Sequence, residues 1–127
     1  MPYHCPPSPR SYRILLCLVL GLLAGCHRND QSVPSPAQAQ TAIQDAFKDA
    51  NPRIKALARE VATEIQNQQP TKAFVQLYAM KASPALTSDQ QVAVLQSIAA
   101  VNLQLQVAAT KGDAEAAKLL QFYGASR

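Results

Sequence analysis

Between Gln90 and Thr110 the chain runs for 21 residues without a charged side chain. No other stretch restricts the fold as much. A helix crossing a bilayer carries few polar groups through its middle, yet Gln96, Ser97, Asn102, Gln104 and Gln106 all fall inside this segment. Burial in protein is therefore expected. Placed at about 100° per residue, Val94, Ile98, Val101 and Leu105 share one face with 4-3-4 spacing, and Leu95 borders it. Val92, Leu103 and Val107 lie near the opposite face. A helix apolar on two sides is either the central element of its own bundle or a surface shared between chains. Val92, Leu103 and Val107 are thus the candidate face for self-association or for a protein partner. The 4-3-4 run is too brief for a coiled coil, which needs three or four sustained heptads.

The flanking sequence is helical as well. Thr41-Ala42-Ile43-Gln44 has the form of a capping box, in which the threonine oxygen and the glutamine side chain satisfy amides left open at a helix start. Ile43, Ala46, Phe47 and Ala50 follow at helical spacing. Asn51-Pro52 restarts the helix, because asparagine caps and proline suits the first position. The second helix then places Ile54, Leu57, Ala58, Val61, Ala62 and Ile65 on one face, with Lys55, Arg59, Glu60 and Gln66 elsewhere. Gln69-Pro70 ends it, and Thr71 is the expected cap of a third helix carrying Phe74, Leu77 and Tyr78. Ser83-Pro84 stops that one, and Leu86-Thr87-Ser88-Asp89-Gln90 opens the uncharged fourth helix. Lys111-Gly112 ends it with a cation near the C-terminal dipole and a glycine for a left-handed turn. Asp113 caps a last helix with Ala116, Leu119, Leu120 and Tyr123 on one side. No alternating stretch or Asn-Gly turn signals a strand. The spacing predicts an all-α fold, a small bundle of four to five helices over residues 41–127. Helix pairs of this kind resemble tetratricopeptide units only in hairpin geometry, since the unit does not recur.

The N-terminal quarter is different in kind. Arg10 and Arg13 precede the apolar run Ile14–Leu23, which is closed by small residues. The run is shorter than the roughly 20 residues of a membrane span and has the three-part layout of a secretory signal. Its end, Leu23-Ala24-Gly25-Cys26, resembles the lipobox of bacterial lipoproteins. The resemblance implies cleavage between Gly25 and Cys26, a diacylglycerol on the Cys26 sulfur and an acylated α-amino group. Two acyl chains hold a protein on a membrane where one is marginal. The expected organisation is a cleaved signal over residues 1–25, a lipidated Pro/Gln/Ser-rich tether over 26–40, and the helical domain. In this class an aspartate after the cysteine tends to retain the protein in the inner membrane, so His27 favours the outer membrane, with the domain facing the periplasm. The proline-rich segment before Arg10 is unusual for a signal, and a different translation start stays open.

Removing the signal changes the composition. Of the three cysteines only Cys26 remains, so the monomer has no disulfide to draw on. The net charge falls from +4 to +2 as Arg10 and Arg13 leave. The pI near 9.2 therefore overstates basicity. The remaining cations are interspersed with acids, unlike the clustered patch of a nucleic-acid binder, so no nucleic-acid partner is expected. His27 is the one histidine left, and no metal or cofactor is expected from such a set. Asp45 with Asp49 and Glu60 with Glu64 stand four apart on helices. Both pairs lie among lysines and arginines on faces expected to point outward, whereas acid–base work needs a cleft that perturbs a pKa. Gly112 and Gly124 look like helix ends, and no nucleophile–base arrangement is present. The expected function is that of a lipid-anchored cell-envelope protein serving as a non-catalytic interaction or scaffold module. Two alternatives stay open, a binding module holding a lipid or peptidoglycan fragment between helices and a small envelope hydrolase.

Overall fold

The computed structural model describes residues 32–124. The signal segment, with the lipobox residues Gly25 and Cys26, lies outside the described residues. These form five helices and no strand: α1 Pro36–Ala46, α2 Pro52–Gln66, α3 Pro70–Lys81, α4 Ser88–Thr110 and α5 Ala114–Gly124. The protein is a small all-α bundle, as the spacing predicts.

Short polar side chains set most of the helix starts. Asn51 Oδ1 accepts from Ile54 N at 3.0 Å, with Pro52 in the first turn. Thr87 Oγ1 accepts from Gln90 N, and Gln90 Oε1 accepts in return from Thr87 N at 3.1 Å. Asp113 Oδ1 accepts from both Glu115 N and Ala116 N at 3.0 Å. Each bond satisfies an amide that the helix itself leaves open.

Two starts differ from expectation. The first helix begins at Pro36, not Thr41, so the last residues assigned to the tether are helical. Ser35 caps it and forms the capping box with Gln38, whose Oε1 accepts from Ser35 N at 2.8 Å. Thr41 is interior to the helix, its hydroxyl donating to the Ala37 carbonyl at 3.1 Å. The reason is local: Ser35-Pro36 combines a good cap with a proline at the first helical position, and it precedes Thr41 in the chain. In the third helix Thr71 is not the cap. Pro70 is already helical, and its N-cap, Gln69, makes no side-chain capping bond. The turn before it holds Gln68 at φ 54°, a left-handed conformation that costs a non-glycine residue roughly 1–2 kcal/mol. Gly112 supplies the other such turn, at φ 98°, between α4 and α5.

The core is organised around α4, which packs against α1, α3 and α5, while α2 bridges α1 and α3. Ile43 and Phe47 meet Val61 and Ile65 from α2, Phe74 and Leu77 from α3, Val94, Val101 and Leu105 from α4, and Ala116 from α5, all fully buried. Burying each large apolar side chain contributes roughly 1.5–3 kcal/mol. Two polar contacts fix the register of α1 on α4. Gln90 Nε2 donates to the Ala46 carbonyl at 3.3 Å, and buried Ser97 donates to the Ala39 carbonyl at 3.4 Å. Advancing along α4 while retreating along α1, they set the two helices antiparallel. By length and composition α4 could cross a membrane, but three neighbours and a satisfied buried hydroxyl mark it as the core helix of the bundle.

Candidate interaction surface

The face of α4 turned away from the core remains apolar. Val92 is 52% exposed, Leu103 53% and Val107 46%. The structure thus places these three together on the outward side, as the spacing predicts. Leu95 joins them at 50% exposure, although its position bordering the core face suggested cover. Among the described residues α5 covers only part of α4. At about 1.5 Å per residue, α4 is roughly 35 Å long and α5 roughly 16 Å. Starting from the turn after α4, α5 folds back along it, and Tyr123 lines a groove with Asn102 and Gln106. Among the described residues α5 leaves Leu95 half exposed, on a groove that it shares with Tyr123.

An open groove of about 690 Å³ lies along this edge, lined by Leu95, Ile98, Ala99, Asn102, Leu103 and Gln106 of α4, Tyr78 and Lys81 of α3, Tyr123 of α5, and Val33. Its aromatic wall is tightly coupled: Tyr78 and Tyr123 lie 4.4 Å apart by ring centroids, and Phe74 lies beneath them at 4.6 and 5.0 Å. Lys81 Nζ sits 5.3 Å from the Tyr78 ring centre, a cation–π distance. A second groove, of about 370 Å³, flanks the other side of Leu103 and Val107. The outward stripe of α4 therefore stands as a ridge between two shallow depressions. Sequence periodicity locates the ridge but not the grooves, which depend on how the neighbouring helices pack against α4.

The acid pairs separate in the structure. Asp45 and Asp49 are exposed, as is Glu60. Glu64 is not: it is only 7% exposed, which corrects its outward assignment. α3 packs on this flank of α2 and brings Gln76, whose Nε2 donates to Glu64 Oε1 at 3.2 Å. The other carboxylate oxygen, Oε2, has no hydrogen-bond partner. Burial raises the Glu64 pKa above its ordinary value, the nearby Glu60 charge raises it further, and Lys72 acts in the opposite direction. Among the described residues no cluster of three metal-ligating side chains accompanies it.

A raised folded pKa means that the fold prefers the protonated acid. The associated stability is present below the ordinary glutamate range and is lost as pH rises through the folded value. Glu64→Gln, which keeps an amide beside Gln76, is therefore expected to flatten that fall. Urea midpoints at neutral pH should rise relative to the parent and converge with it in acid. A parent protein whose stability does not decline over that interval would contradict the assignment.

The chain matches no known protein family, no curated protein and no solved structure. The site must be read from its own geometry.

Proposed function

We propose that the protein is a lipid-anchored component of the bacterial cell envelope whose bundle acts as a non-catalytic interaction module through the outward face of α4. The observation that carries this reading is the row of four half-exposed aliphatic residues, Val92, Leu95, Leu103 and Val107, on a helix without charge from Gln90 to Thr110. Contiguous apolar surface of this kind marks interaction sites on soluble domains. Leu23-Ala24-Gly25-Cys26 supports the anchor. From Cys26 to Pro36 the chain can extend at most about 35 Å, so the bundle works close to its membrane. His27 after the lipidated cysteine favours the outer membrane, with the bundle facing the periplasm.

A second reading is favoured by the aromatic-walled groove between α3, α4 and α5. Its Tyr78 and Tyr123 rings suit an acyl chain or a peptidoglycan fragment better than they suit water, since each presents an apolar body with a polar tip.

Labelled palmitate tests the anchor. The parent is expected to take up label and sediment with membranes, and Cys26→Ala to do neither. Uptake that survives the substitution would refute the site. For the surface, a photo-crosslinking residue at Leu103 in the anchored protein should give discrete adducts, while one at exposed Arg53 gives far fewer. Equal, diffuse labelling at both positions would remove the face from consideration.

A further inference from the structure

We infer that the partner on the outward face of α4 is a second copy of the same chain, laid antiparallel about a two-fold axis near Ala99. This rests on the reading of that face as a contact surface and names what covers it.

The spacing of the face is close to a palindrome. Leu95 and Leu103 are centred on residue 99, Val92 and Val107 fall half a residue further on, and Asp89 and Lys111 are centred on residue 100. All three centres lie within about 1.5 Å along the helix axis. A two-fold contact must be self-complementary, each patch meeting its own image. An antiparallel copy meets that condition, setting Leu95 against Leu103, Val92 against Val107, and small, half-buried Ala99 at the crossing, where two backbones approach most closely.

Charge selects the same arrangement. The face has no charge between its ends, with exposed Asp89 before it and exposed Lys111 after it. Antiparallel pairing brings each aspartate beside the lysine of the other copy. Parallel pairing would set aspartate against aspartate and lysine against lysine, which is unfavourable. The two helix dipoles also oppose in the antiparallel arrangement.

Only one helix per copy forms the centre, so the buried surface falls at the small end for a specific interface, on the order of 1,000 Å². A modest dimer follows, and confinement of both copies to one membrane raises their effective concentration.

The test uses the full-length chain in membranes and a short bis-maleimide, with the parent and its native cysteines as control. Ala99→Cys is expected to give at least fivefold more linked dimer than the parent. Val92→Cys should link to a co-expressed Val107→Cys chain far more than to itself. Asp89→Lys or Lys111→Glu alone should lower the Ala99→Cys dimer about two- to fivefold, in keeping with an exposed ion pair repeated by symmetry, and combining them should restore it. A yield at Ala99→Cys no higher than the parent, self-linkage at Val92→Cys equal to that at Ala99→Cys, or no restoration by the double reversal would each overturn the two-fold. If Ala99→Cys fails while Leu103 still photo-crosslinks to a different protein, the interaction surface survives and the self-pairing does not. A Leu103 photoproduct with the chain's own N-terminal segment also overturns it. Absence of any Leu103 adduct removes both.

Discussion

Val101→Asp is expected to unfold the domain, whereas Leu103→Asp, two residues further along the same helix, leaves it folded. Val101 is fully buried on the core face of α4, while Leu103 is half exposed on the other. A carboxylate at position 101 has no partner and no water. Leaving a buried charge unpaired costs about 3–5 kcal/mol, and the lost burial of valine adds roughly 1.5 kcal/mol or more. That sum is comparable to the whole stability of a small domain, about 5–15 kcal/mol. At position 103 the new charge stays in water, and substitutions of that kind usually move stability by about 0.5 kcal/mol or less. Far-ultraviolet circular dichroism with urea titration checks both. Leu103→Asp unfolding as readily as Val101→Asp would mean that the outward face belongs to the monomer core.

The second large effect is at Phe74. It is 1% exposed and underlies both tyrosines, its ring 4.6 Å from Tyr78 and 5.0 Å from Tyr123. Truncating a buried phenylalanine to alanine costs about 3–5 kcal/mol. Phe74→Ala should therefore lower the urea midpoint sharply and loosen the docking of α5, which reaches α3 through Tyr123. Val75→Ala, next to it but half exposed, should fall within about 0.5 kcal/mol of the parent. A Phe74→Ala midpoint that moves no more than that of Val75→Ala would contradict the packing described.

The fold was legible because capping residues and apolar periodicity are local signals. Asn51-Pro52, Thr87-Gln90 and Asp113 act at the ends where their chemistry suggested, and the two faces of α4 followed from 100° steps. Features set by distant neighbours leave no such local signal. The exposure of Leu95 depends on how α5 packs along α4, and no pattern within α4 encodes that. The burial of Glu64 comes from α3 lying on one flank of α2, and its charged sequence neighbours carry no sign of that contact. The early start of α1 is a different miss: Ser35-Pro36-Ala37-Gln38 carried a capping box, but the prolines and the polar run around it read as tether. On the candidate site, Val92, Leu103 and Val107 were legible, and the aromatic groove beside them was not, because Tyr78 and Tyr123 meet only after the chain has turned at Gly112.

The bond from Ser97 to the Ala39 carbonyl joins residues 58 apart in sequence. The first three helices therefore have no finished interior until the fourth arrives between them. Loss of the C-terminal third by proteolysis would leave no half-sized folded remnant: the rest would collapse together with it. Such a chain is made to be either whole or degraded, with little room for a partly working intermediate.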